Sequence, residues 1–151
     1  MINENVSLQG FDDFHLFRKL YLLEAPNLIK VHGRKGINAQ INGFYQKQTT
    51  LHCSRVWYKK VETIAKEDVT GNVQKSTSQA NTGHKNEWVI RYHSQSEQWL
   101  FDKRGLRTDD VANALGKGGV MTPLEIKHWQ VHDGSIFAWD RHIILTPVLQ
   151  C

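Results

Sequence analysis

The chain has 151 residues, of which 40% are hydrophobic and 23% charged, with five Trp, six Phe and four Tyr. This composition excludes a wholly disordered chain and predicts one domain with one core. The formal net charge of +4 attracts anionic partners only weakly, because the 19 basic residues are scattered along the chain. Two cysteines, no long apolar run and no signal pattern favour a reducing, cytoplasmic compartment without a membrane anchor.

The N-terminal part of the sequence divides into a polar tail and a helix. Residues 1–9 are polar and are predicted to be flexible, whereas residues 10–149 are predicted to form a single β-rich domain. From Phe11 onward, aromatic and leucine side chains recur at steps of three and four residues, which predicts a short amphipathic helix. This helix is expected to end by Ala25, because Pro26 disfavours helical geometry in the residue before it.

The first predicted strands follow directly after Pro26. Leu28–His32 alternate between apolar and polar side chains, which is typical of a strand, and Gly33–Gly36 form a turn in which two positions are free to take positive φ. Asn42-Gly43 is the strongest two-residue hairpin signal and is predicted to turn the chain into a strand over Phe44–Gln48.

A further strand is predicted over Ser54–Val61, and it is followed by a long polar segment. In the strand, Val56 and Tyr58 face one way and Trp57 faces the other. Residues 63–86 contain hardly any apolar side chain, so their burial could not offset the entropy lost on ordering them. We expect this segment to be a mobile insertion between two strands, which the domain tolerates.

The central stretch, residues 87–105, is predicted to be a β-hairpin around which the domain is built. Its apolar side chains alternate on both sides of a polar break, and Ser94–Glu97 supply the turn. Cross-strand aromatic pairs stabilise such a hairpin, but a hairpin needs further strands for independent stability. The residues predicted to face the core are Trp88, Ile90, Tyr92, Trp99 and Phe101.

Two short helices and the remaining strands are predicted after the hairpin. Thr108 and the two aspartates after it indicate a helix of about two turns that closes at Gly116. Thr122–Glu125 have the pattern of a capping box. Strands are expected over Lys127–His132, Ile136–Trp139 and His142–Leu145. The predicted fold is a mainly β domain, one antiparallel sheet or barrel of six or seven strands, with an N-terminal helix and one or two short helices.

The spacing of glycine, asparagine and aromatic residues resembles a known module. The pattern is Gly33-x-x-Gly36-x-Asn38-x-x-x-Asn42-Gly43-x-Tyr45, then Val56-x-Tyr58, Trp88-x-x-Arg91-Tyr92, Trp99-x-Phe101 and Trp129-x-Val131-x-Asp133-Gly134. It resembles a β-rich module that is repeated in large, mostly uncharacterised proteins of apicomplexan and dinoflagellate protists, and the resemblance covers about residues 28–145. The resemblance implies a cytoplasmic or cytoskeleton-associated binding module without catalytic residues.

No motif in the sequence indicates a metal site, a cofactor or a catalytic group. His128 and His132 have the spacing of zinc ligands on a helix, but on a strand they lie roughly 13 Å apart, too far to share one ion. Gly116-Lys117-Gly118-Gly119 departs from the Walker pattern, so a loop after a helix is the favoured interpretation. Lys117 remains a candidate for contact with an anion, together with Arg34 and Lys35.

The favoured function is a non-enzymatic protein-interaction or scaffold module whose partner is unknown. The alternative is a module that binds an anionic ligand, either single-stranded nucleic acid or an acidic headgroup. If the core side of the hairpin carries its aromatic residues, the opposite side presents Arg91 to the surface. Because interface hot spots favour exposed aromatic and arginine side chains, Trp57, Arg91 and Arg104 are the candidate partner-binding residues.

Overall fold

A computed structural model describes Leu22 and residues 24–62 and 86–149 of the chain. In this part of the chain nine strands form one sheet. They are β1 (Leu28–His32), β2 (Gly43–Lys47), β3 (Tyr58–Val61), β4 (Val89–His93), β5 (Gln98–Asp102), β6 (Ala114–Lys117), β7 (Trp129–His132), β8 (Phe137–Trp139) and β9 (Ile144–Pro147). Two 3-10 turns, Ala39–Ile41 and Pro123–Glu125, accompany them.

Strands β1 to β8 lie side by side in the order of the chain, as in a meander, and the last strand, β9, pairs with β1. The sheet runs β8-β7-β6-β5-β4-β3-β2-β1-β9, and every neighbouring pair is antiparallel. The edge strands β8 and β9 are joined only by residues 140–143. This link spans at most about 18 Å, whereas the edges of a flat nine-stranded sheet lie about 38 Å apart. The sheet therefore curls into a half-barrel.

The concave side of the sheet holds an aromatic core, as the hairpin pattern predicts. Trp99 and Phe101 are fully buried, and Tyr92 lies against Trp99 with ring centroids 5.4 Å apart. Tyr45 of β2 meets Phe101 of β5 at 5.7 Å between ring centroids, although two strands separate them in the sheet. Trp129 of β7 completes the contact at 4.9 Å from Phe101. These rings link the two halves of the curled sheet.

The predicted count of six or seven strands is wrong, and so is the predicted helix after Thr108. Residues 26–62 and 86–149 contain no α-helix, and the stretch predicted to close a helix at Gly116 forms β6 instead. Gly116 faces the core, where an added Cβ would lie 2.4 Å from a methyl carbon of Ile126. Close packing, and not a helix end, accounts for this glycine. The capping box at Thr122 is present, but it opens only a 3-10 turn.

The hairpin predicted at Asn42-Gly43 is also wrong. Asn42 is extended, and its side chain accepts a hydrogen bond from the Arg34 backbone N–H and donates one to the Arg34 carbonyl. The amide therefore closes the loop between β1 and β2, which pair as a wide hairpin. The local signal is overridden because the asparagine side chain has a partner on the opposite end of this loop.

Three predicted features lie outside the described residues. They are the flexible tail over residues 1–9, nearly all of the N-terminal helix, and the insertion over residues 63–86 except for Asn86. A search of the described residues finds no helix that is long and apolar enough to cross a membrane.

Candidate interaction surface at an edge of the sheet

Arg91 lies on the predicted side of the hairpin but is not exposed, which corrects the expected location of a contact surface. Its exposed fraction is 0%, as is that of Asp102 on the neighbouring strand. The Arg91 guanidinium donates hydrogen bonds to Asp102 Oδ2 at 2.9 Å, to Asp109 Oδ1 at 3.3 Å and to the Val111 carbonyl at 3.1 Å. The segment between β5 and β6 thus covers this side of the hairpin and supplies the arginine with acceptors.

Arg104 joins the same network from a partly exposed position. Its guanidinium donates to Asp102 Oδ2 and to Asp109 Oδ1, each at 2.7 Å. Burial raises the pKa of Asp102, but hydrogen bonds from Arg104 and Arg91 outweigh it and hold that pKa below its usual value. A hydrogen bond from Arg104 is the main cause that lowers the pKa of Asp109 to about 2. Both carboxylates therefore stay charged at neutral pH, and the four side chains form one ion-pair network.

His52 borders this network. The His52 Nε2 and Arg91 Nη1 atoms are both buried, and the structure shows no hydrogen-bond partner for either. Burial, assisted by the charge of Arg91, lowers the pKa of His52, although a hydrogen bond with the backbone of Arg107 opposes the shift. The imidazole is consequently neutral at pH 7.

The other predicted contact residues are dispersed. Trp57 is half-buried on the extension of the β2–β3 hairpin, where its Nε1–H donates to Thr50 Oγ1 at 3.2 Å. Lys117 lies at the end of β6 in a concavity of about 360 Å³ that Lys127 and His128 also line. Neither joins Arg91 and Arg104 in one site.

Arg34 and Lys35 line a larger groove at the edge of the sheet. This edge groove has a volume of about 580 Å³ and lies between residues 32–35 on one side and Ala138, Trp139 and Asp140 on the other. Arg34 Nη1 lies 3.0 Å from Asp140 Oδ2, and both side chains are largely buried. The charge of Arg34 is therefore neutralised, and Lys35 and Asp133 are exposed charged side chains of the groove.

An aromatic face adjoins the edge groove on the convex side of β7 and β8. Trp139 is 56% exposed, and the His128 ring meets its ring edge-on at 5.1 Å between centroids. Phe137 and His132 form a second such pair at 5.0 Å. The Arg141 guanidinium lies 5.5 Å from the centroid of the Trp139 ring, a cation–π distance. These four rings constitute the aromatic face.

Exposed aliphatic side chains extend this surface. Ile136 is 62% exposed and precedes β8, and Ile144, which is 47% exposed, lines the edge groove with Trp139. Ile37 is 53% exposed and reaches the turn after β7, where its Cδ1 lies 3.0 Å from the position of a Cβ added to Gly134. Trp139 and Ile144 thus line the edge groove, whereas Ile37 and Ile136 lie at the β7–β8 turn, whose Asp133 also lines it.

Sequence reasoning did not select Trp139, Phe137 or Arg141. The aromatic count does require that some rings lie outside the core, and Phe137-Ala138-Trp139 places both rings on the same side of a strand. That pattern was the available signal, but it does not distinguish the buried side from the exposed side. The side is decided by Ala138, which pairs with the fully buried Val131.

Comparisons of the chain with protein-family models, with curated proteins and with solved structures give no match. The resemblance to the protist module therefore stays a prediction. Among the described residues, no group of three or more His, Cys, Asp or Glu side chains is arranged to hold a metal ion. His128 directly precedes β7 and His132 is its last residue, and each contacts an aromatic ring.

Proposed function

We propose that this chain is a non-enzymatic protein-interaction module that binds its partner through the edge groove and the aromatic face. The observation that carries the proposal is the exposure of Trp139 and Ile144 in the edge groove, with exposed Ile136 and Ile37 at the adjoining β7–β8 turn. Apolar side chains exposed singly are normal, whereas a contiguous patch with a polar rim marks an interaction site. This surface therefore replaces the one centred on Arg91, whose side chain is buried.

The composition of the surface supports a protein partner. Trp and Arg are the residues in which interface hot spots are richest, and Trp139 with Arg141 above it provides both. The edge groove has a volume in the range of about 300–1,000 Å³ that is typical of ligand-binding clefts. An apolar anchor of the partner can occupy the groove while an acidic neighbour pairs with Lys35 or Arg141.

A comparative pull-down tests this proposal. The wild-type chain, Trp139→Ala and the control Leu106→Ala are immobilised and exposed to nuclease-treated lysate of the source cell. Leu106 is 41% exposed and lies in the segment between β5 and β6, so its substitution removes exposed apolar area away from the edge groove. We expect a protein that is retained by wild type and by Leu106→Ala and lost from Trp139→Ala. Capture of the same proteins by all three chains would contradict the proposal.

The second candidate function is binding of an anionic ligand, and one observation favours it. Lys117, Lys127 and His128 line one concavity, and the His128 ring touches Trp139. Aromatic rings beside basic side chains are typical of surfaces that stack single-stranded nucleic acid. Such binding weakens steeply with salt, whereas an apolar interface does not. Titration with a mixed oligonucleotide at two salt concentrations separates the two functions, and salt-sensitive binding lost in Lys117→Ala would favour the second.

A further inference from the structure

The two edges of the sheet differ in the backbone groups that they present. At the two ends of the β7–β8 ladder, the Asp140 N–H donates to the Trp129 carbonyl at 2.9 Å and the Asp133 N–H donates to the Ile136 carbonyl at 3.0 Å. Hydrogen-bonded pairs alternate along an antiparallel ladder, so Ala138 is the residue of β8 that bonds to β7. The N–H and C=O groups of Phe137 and Trp139 point away from β7.

These four outward groups have no partner within the part of the chain that the structure describes. No backbone hydrogen bond outside the strand ladders involves Phe137 or Trp139. Both residues also carry exposed or half-buried rings, which leaves the strand accessible from its convex side. An edge with free backbone groups is a template for a further strand.

The opposite edge is protected. In β9, the Val148 N–H donates to the Leu28 carbonyl at 2.9 Å, so Leu145 and Pro147 are the residues that point away from β1. Proline has no N–H to offer, and proline on an edge strand is a common protection against strand addition. The 3-10 turn at Pro123–Glu125 also lies against β9. One edge is thus closed while the other is open.

We infer that an extended acidic segment of the partner protein adds to β8 as a tenth strand, with its backbone bonded to Phe137 and Trp139. This inference rests on the proposed function and names its binding mode. Alternate side chains of the segment enter the edge groove, and the acidic side chains between them lie on the convex side, where they face Arg141.

The test uses a capped heptapeptide of alternating valine and glutamate, titrated into the ¹⁵N-labelled wild-type chain. We expect shifts of the Phe137 and Trp139 amides and slower exchange of their protons in the complex. The same peptide with alternate backbone nitrogens methylated should bind about tenfold more weakly or worse, because methylation removes its strand hydrogen bonds. A peptide with lysine in place of glutamate should also bind more weakly.

A pair of protein variants checks the same step from the other side. Phe137→Pro removes the outward N–H without removing a bond to β7, and Phe137→Ala is the matched control that removes the ring and keeps the N–H. We expect Phe137→Pro to bind the peptide about tenfold more weakly than Phe137→Ala. Thermal unfolding of both variants shows whether they are folded. If Phe137→Pro does not fold, the methylated peptide alone tests strand addition.

Several outcomes would overturn the inference. They are no binding of the peptide at millimolar concentration, equal binding of the methylated peptide, and protection of Leu145 in place of Phe137 and Trp139. A dimer in sedimentation that Phe137→Pro abolishes would assign the edge to a second copy. Loss of the cellular partner from Trp139→Ala with no effect of Phe137→Pro or peptide methylation would leave the proposed function standing and remove strand addition alone.

Discussion

The β4–β5 hairpin and the edge strand β8 both carry aromatic side chains, but the hairpin is covered on both sides and β8 on only one. In the hairpin both sides are buried, with Trp99 on the core side and Arg91 on the other side, each at 0% exposure. In β8 only Ala138 faces the core, whereas Trp139 lies open on the convex side. The difference shows that an outward-facing side chain of a central strand can be covered by a connecting segment, so outward direction does not itself make a surface. Exposure depends on what lies above the strand.

The largest expected effect on this comparison comes from Trp99→Ala. Trp99 is fully buried, packs against Tyr92 and donates a hydrogen bond from Nε1 to the Val120 carbonyl at 3.0 Å. Its truncation should lower the free energy of unfolding by about 3–5 kcal/mol, since it leaves a cavity and removes one of the two hydrogen bonds that the Val120 carbonyl accepts. Urea denaturation measures this change. A loss below about 1 kcal/mol would mean that the hairpin is not the centre of the core.

Arg91→Ala should destabilise the protein by a comparable or slightly smaller amount, about 3–5 kcal/mol, because it breaks a buried ion pair. Asp102 keeps Arg104 as a partner, which limits the loss. This expectation follows from the burial of Arg91, which the sequence analysis had placed at the surface. Arg104→Ala is the matched control, and it should cost less because water can replace a side chain that is 33% exposed. Equal effects of the two variants in urea denaturation would contradict the difference in burial.

The stability of the protein should depend on pH because His52, which borders the buried Arg91, titrates at a different pH in the folded and unfolded states. Its pKa is lower in the folded protein than the value of about 6.5 expected in the unfolded chain. The unfolded chain therefore binds the proton first as the pH falls below about 6.5, and stability decreases until the pH has passed the folded pKa. Thermal midpoints measured between about pH 7.5 and about pH 5, a range that brackets the unfolded histidine pKa of about 6.5, give this slope. His52→Gln should flatten the profile, and an unchanged slope would assign it to another group.

The smallest effect on stability is expected for Trp139→Ala. Because the ring is more than half exposed, the free energy of unfolding should change by no more than about 0.5 kcal/mol. Partner binding should weaken by about 2 kcal/mol or more, roughly thirtyfold, if the ring is a hot spot. Calorimetric titration with the isolated partner would measure it. A variant that is destabilised as strongly as Trp99→Ala would place Trp139 in the core and remove the contrast between the two strands.

Much of the fold could be predicted from the sequence because its strands carry local alternation. The span of β1, the turn at Ser94–Glu97 and the core side of the hairpin are all confirmed. The helix after Thr108 was wrong because aspartates that begin a helix look the same in sequence as aspartates that bind arginine. Here Asp109 accepts hydrogen bonds from Arg104 and from the Val111 N–H. The meaning of that pattern depends on a residue brought near by tertiary contacts.

The candidate surface was harder to predict, for a different physical reason. An edge strand is defined by the neighbour that it lacks, and no residue of Phe137-Ala138-Trp139 encodes that absence. Pro147 is a partial exception, since a proline within a strand indicates an edge. The sequence predicted the strand that contains Trp139 but could not assign it to the rim of the sheet.

The strand order also has a consequence for how this chain folds. Each neighbouring pair along the meander joins strands that are consecutive in the chain, so those ladders close over short loops or over the single connection between β3 and β4. The pairing of β1 with β9 is the exception, because Val31 meets Leu145 more than a hundred residues further along. Its closure carries the largest loss of chain entropy of any pair, which places it late among the folding events. The half-barrel should therefore assemble from its local hairpins, with the docking of the last strand as the slow step.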